Sequence, residues 1–198
     1  VSTLLLYQIV GTPQALNTAA IKAPETLGDA IVQLETELQR NPNQAEGWRL
    51  LAQAYQREEQ SIKSRDAYAK AANLAPKDAG ILTEAAQSRA LADDKRLFDA
   101  QAVALLQRAL AADPAQQRAR WFLGIAQRQA GDNAAAAESW EPLLTQVEAT
   151  TTTSLRKEID AERGDAGLPP QPTPAVQASA EALVVNVSLV PELAARVR

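Results

Sequence analysis

The chain has 198 residues, with 20 Lys and Arg against 24 Asp and Glu, and its formal charge of -4 gives no general pull towards phosphate backbones. It holds no cysteine and no histidine, which removes disulfides, thiolate nucleophiles, the usual general base, the usual zinc ligands and covalent haem attachment. No apolar run approaches the roughly 18 residues a bilayer-spanning helix needs.

Residues 1–25 read as an N-terminal extension whose apolar cluster, Leu4-Leu5-Leu6-Tyr7, is short. Residues 26–44 hold a predicted capping helix over 26–40, with Leu27, Ile31, Leu34 and Leu38 on one stripe. Arg40-Asn-Pro42 closes it. The next segment, WRLLAQAYQ, sets Trp48, Leu51, Ala52 and Tyr55 on one helical face. After a polar turn near Glu58–Ser61, a second helix carries Ser64, Ala67, Tyr68, Ala71 and Ala72, and Leu74-Ala-Pro76 stops it. Ala112-Asp-Pro114 repeats that stop. Pro42 to Pro76 is 34 residues, and Pro76 to Pro114 is 38, which predicts about four extra residues near Leu91–Phe98. The third repeat has Trp121, Leu123, Gly124 and Ala126 on its first helix, Gly131-Asp132 at its turn, and Ala136, Ala137, Trp140 and Leu143 on its second. Pro142 falls inside that second helix and predicts a kink or an early break.

A helix–turn–helix unit recurring at 34 residues is the tetratricopeptide repeat (TPR), and the predicted fold is an all-α solenoid of antiparallel helix pairs. An unrelated alanine-rich bundle is the plain alternative. The TPR domain is placed at 45–163, with repeats at 45–78, 79–116 and 117–150 and a C-terminal capping helix over 155–163. Ala52, Ala86 and Gly124 each lie ten residues after a repeat-ending proline, where a large side chain would hold the paired helices apart. Residues 164–181 form a Pro-rich linker. Residues 182–198 start with a strand-like run, ALVVNVSLV, and are expected to open a second, truncated domain. Asn186-Val-Ser188 matches a glycosylation sequon by chance alone, and Asp93, Asp94 and Asp99 suit a solvated turn better than a metal loop.

The inner surface of such a solenoid is lined by the first helix of each repeat. Its predicted inner positions are Glu46, Arg49, Gln53 and Gln56, then Thr83, Gln87 and Ala90, then Arg118, Trp121, Ile125 and Arg128. Arg120 stands where the first repeat has Trp48, so Trp121 is displaced by one position, a rotation of about 100° that turns it towards the groove. An aromatic and an aliphatic anchor flanked by arginines and glutamines suits an amphipathic helix. The competing possibility is that Trp121 packs on a neighbouring repeat and the arginines are merely solvated. Without histidine or cysteine no constellation of nucleophile, base and orienting group is visible, so no enzyme, cofactor, metal or nucleic-acid partner is expected.

Several passages resemble the TPR-containing cytochrome c biogenesis proteins of the CycH/CcmI/NrfG type. They are LYQIVGTPQAL (6–16), LETELQRNPNQAEGWRLLAQAYQ (34–56), LLQRALAADP (105–114) and WFLGIAQRQAGDNAAAAESWEPLL (121–144). The last is the most specific, with its Trp-Phe-Leu-Gly start, Gly-Asp turn and Ser-Trp-Glu-x-Leu-Leu ending; Pro142 departs from the family's arginine there. VNVSLVPELAARV (185–197) looks like the opening of the extra domain of longer members. The resemblance implies a periplasmic module, tethered to the inner membrane through a segment absent from this chain. It further implies that the module holds apocytochrome c, chiefly by its C-terminal helix, for the haem lyase components. A structural TPR adaptor that assembles envelope complexes without binding unfolded clients is the alternative.

Overall fold

Proline sets the rhythm of this chain, because it cannot continue a helix and leaves nearby carbonyls in need of donors. The computed structural model describes residues 25–172. Within them lie eight α-helices: α1 (Leu27–Arg40), α2 (Ala45–Arg57), α3 (Ser61–Leu74), α4 (Ala79–Ala92), α5 (Ala100–Ala112), α6 (Gln117–Gln129), α7 (Asn133–Trp140) and α8 (Ala149–Asp165). No strand occurs among the described residues. The strand expected in 182–190, the sequon and the extension over 1–24 lie outside them.

At each repeat-ending proline a long side chain donates to the proline's own carbonyl. The Trp48 indole N–H donates to the Pro42 carbonyl at 2.8 Å, and Arg120 donates to the Pro114 carbonyl at the same distance. Arg120 thus takes over the hydrogen-bonding role of Trp48 as well as its position. Arg108 serves Pro76 at 3.2 Å. Four of the eight described helices start on a short polar side chain that accepts from an otherwise unsatisfied N–H group. Thr26 and Asp29 form a reciprocal capping box on α1, while Asp78, Asp99 and Asp132 cap α4, α5 and α7.

The hairpin turns of the first and third repeats are three residues long, Glu58–Gln60 and Ala130–Asp132. In the middle repeat the turn is Asp93–Asp99, seven residues, so the four extra residues fall in this turn. Gly131 is left-handed at φ 79, and its counterpart Glu59 adopts φ 57 without glycine's freedom.

The pairs α2/α3, α4/α5 and α6/α7 are antiparallel hairpins stacked side by side, with α1 on one end and α8 on the other. One core runs through the stack and includes Leu38, Leu51, Leu82 and Leu106, all nearly or fully buried. Each such leucine contributes about 1.5–3 kcal/mol by leaving water. Ala52 and Ala86 are wholly buried at the predicted crossings. At Gly124 a Cβ would lie 2.1 Å from Trp140 Nε1, so only glycine fits.

α7 ends at Trp140, and Pro142 instead opens a short 3-10 helix, Glu141–Thr145. A second, smaller core follows from this break: Trp140, Leu143, Leu155 and Ile159, with Ile125, Leu144 and Val147 packed against it. α8 is longer than the capping helix expected from sequence. It runs on to Asp165, after which the chain folds back, and the Gln171 N–H donates to Asp160 at 2.9 Å.

Candidate peptide-binding groove

α2, α4, α6 and α8 share one face of the stack, and two adjoining depressions open on it. The first is an apolar cleft of about 380 Å³ between α6 and α8. Trp121, Leu143, Val147 and Leu155 form its apolar lining, with Arg118 and Glu158 at the polar margin. Trp121 is 36% exposed, which is high for so large an apolar residue. Its ring stacks on Trp140 at 4.9 Å and 25°, and the Trp140 indole N–H donates to the Trp121 carbonyl at 3.0 Å. Trp121 therefore has one face on the core and the other open to the cleft.

The second depression, about 300 Å³, is polar and lies over the first two repeats. Gln53, Gln56 and Gln87 line it together, and Arg118 forms the wall it shares with the apolar cleft. Tyr68 stands at its base. Burial first, and the Glu84 charge second, push its hydroxyl up to about 12, so it is a neutral donor at physiological pH.

The predicted arginines differ in availability. Arg49 is held by Glu84 through two hydrogen bonds, 2.7 and 2.9 Å, that bridge the first and second repeats. Arg128 pairs with Glu158 and Glu162 at 3.5 Å each and lies 5.3 Å from the Trp140 ring centroid. Arg118 alone of the three has no carboxylate partner among the described residues. It donates to Gln87 Oε1 at 2.7 Å and lies over the Phe122 ring.

Three inner positions need correction. Thr83 is 1% exposed, its hydroxyl donating to the Ala79 carbonyl, and Ala90 is likewise buried. Both sit on the middle first helix, which has a neighbour on either side, and Glu84 presents itself to the groove instead. Ile125 is partly buried against the second core, and the aliphatic lining of the cleft comes from Leu143, Val147 and Leu155. Sequence periodicity also missed Arg57, Glu84 and every contribution from α8. A lone carboxylate in the apolar run of α4 was the available signal for Glu84.

Among the described residues no group of three or more His, Cys, Asp or Glu is placed to hold a metal ion. Asp99 is engaged by Arg89, whose hydrogen bond holds its carboxyl below the usual range, and Asp93 accepts from the Lys95 and Leu97 amides. None of the described helices is long and apolar enough to cross a membrane.

Stacked antiparallel helix pairs with an open lining of first helices define a TPR scaffold, a class that is non-catalytic and works by binding other proteins. The chain belongs to the family described as the cytochrome c-type biogenesis protein H TPR domain, whose model matches residues 16–154. The cytochrome c-type biogenesis protein CycH of Pseudomonas aeruginosa is 31% identical over 124 residues, covering 63% of this chain. The match spans only 30% of that protein's length. Two crystal structures of MamA share the fold. They superpose with TM-scores of 0.62 and 0.61 at 19% and 20% identity, covering 83% and 72% of this chain and 82% and 80% of theirs.

Proposed function

We propose that the groove holds an amphipathic helix of apocytochrome c during cytochrome c maturation, in the periplasm, and presents it to the haem lyase components. The observation that carries this is the half-exposed Trp121 above an apolar cleft beside an unneutralised arginine. An aromatic anchor in a desolvated pocket with a polar rim is how binding energy concentrates at protein interfaces. An apolar stripe of a helix fills the cleft, and its acidic residues meet Arg118. Family membership supports the same client class. The groove residues of this reading are Arg49, Gln53, Gln56, Gln87, Arg118, Trp121 and Arg128, with Arg49 and Arg128 shaping the walls through their own ion pairs.

Titration of the full chain with a synthetic peptide of a c-type apocytochrome C-terminal helix tests it. Anisotropy of a fluorophore on the peptide reads binding independently of the chain's own tryptophans, so it serves the Trp121→Ala variant as well. The expected result is micromolar or tighter binding that Trp121→Ala abolishes. No binding even at low salt would instead support a structural adaptor that joins envelope proteins without gripping unfolded clients.

A further inference from the structure

The polar depression has an electrostatic imbalance. Gln53, Gln56, Arg57, Tyr68, Glu84 and Gln87 line it with Arg118, and Glu84 is its single lining carboxylate. Arg49 already compensates the charge of Glu84 through a bond to each carboxylate oxygen. Neither Arg57 nor Arg118 has a carboxylate partner among the described residues, and Arg57 is exposed. The depression therefore combines two uncompensated guanidinium groups, three side-chain amides and a neutral phenol. It is donor-rich and positive, and it adjoins the apolar cleft through Arg118.

We propose that this depression receives the C-terminal carboxylate of the helix bound in the groove, fixing the direction in which that helix lies. The proposal rests on the groove being a helix-binding site and adds an end-specific contact to it. The last turn of any helix leaves four carbonyls without partners and carries a partial negative charge, and a free chain terminus adds a full one. Guanidinium forks and amide N–H groups satisfy that combination. Apolar residues on the preceding turns share one face at three- and four-residue spacing, and that face meets the Trp121 cleft. The opposite orientation would set a helix N-terminus, with its partial positive charge, against Arg57 and Arg118.

The test uses the apocytochrome C-terminal helix peptide in two forms, free acid and C-terminal amide, each with a fluorophore at its N-terminus. Anisotropy is measured against the full chain and its Arg118→Gln and Arg57→Gln variants, with circular dichroism confirming that the variants fold. Amidation is expected to weaken binding to the unmodified protein by about tenfold or more. Arg118→Gln should weaken both forms, since Arg118 also meets the helix's acidic side chains, but the acid form more, so the gap between them narrows. Arg57→Gln, at an exposed residue with no carboxylate partner among the described residues, should narrow the gap in the same direction. Equal binding of acid and amide would overturn the end-specific contact while leaving the helix-binding groove intact. A gap that survives both substitutions would overturn it too. Failure of both peptide forms to bind would remove the groove reading and this proposal together.

Discussion

Replacing Gly124 by alanine sets two physical effects against each other. Alanine in a helix interior is favoured over glycine by about 1 kcal/mol. The new methyl, however, would sit 2.1, 2.4 and 2.6 Å from Trp140 Nε1, Cε2 and Cδ1. Trp140 is fully buried between α6 and the second core, so its ring has no free direction of retreat. Overpacking of this kind costs about 1–3 kcal/mol. A displaced indole also loses its hydrogen bond to the Trp121 carbonyl, leaving a buried donor unsatisfied at about 1–3 kcal/mol. The net expectation is a loss of about 2–4 kcal/mol, or a fall in Tm of about 5–12 °C for a chain of this size. Thermal and urea unfolding by circular dichroism measure it. Adding Trp140→Tyr, the residue type of the first repeat at Tyr68, should recover part of the loss. A Gly124→Ala protein as stable as the parent, or more stable, would refute the close-packing account and leave helix propensity as the only effect.

Three further outcomes are expected. Trp121→Ala should lower stability by about 1 kcal/mol through the lost ring stacking, while abolishing peptide binding; a fall of several kcal/mol in denaturant titration would assign the residue to the core instead. Glu59→Gly should raise Tm by about 2–4 °C, because it relieves a left-handed backbone that costs a side-chain-bearing residue about 1 kcal/mol; an unchanged or lower Tm would count against that strain. Burial, and for Tyr55 the hydrogen bond with Glu35, push the Tyr55 and Tyr68 hydroxyls up to about 12 from 10.0. Folding thus favours their neutral forms, a contribution fully present below pH 10 and lost as pH rises through about 12. Chemical denaturation at pH 8 and pH 11 should show a drop that the Tyr55→Phe/Tyr68→Phe double variant shows less; an equal drop would exclude the tyrosines as its cause.

The repeat architecture was legible because it is written in residues with a single physical meaning. Prolines 34 and 38 residues apart stop helices, and the small residue ten positions after each one marks a helix crossing. Trp121 was also legible, since a one-residue displacement from the Trp48 position turns a side chain out of the hairpin. The arginines were not. Their positions follow from periodicity, but their partners do not: Glu84 lies 35 residues from Arg49, and Glu158 and Glu162 lie 30 and 34 residues from Arg128. Nor could helical spacing reveal that Thr83 is covered, because burial in the middle of a stack depends on neighbours from both sides.

Pro142 reaches further than its own turn. By ending α7 after eight residues it sends Leu143 and Val147 towards α6 and α8, and they become two walls of the cleft. An α-helix through 141–145 would turn Leu143 to another angle, because a 3-10 helix has about 3.0 residues per turn against about 3.6. The opening is thus a by-product of a skipped beat in the array, anchored in its own small cluster and separate from the main one. Changes in the length or wording of residues 141–148 should reshape what the cleft accepts while the three hairpins stand as they are.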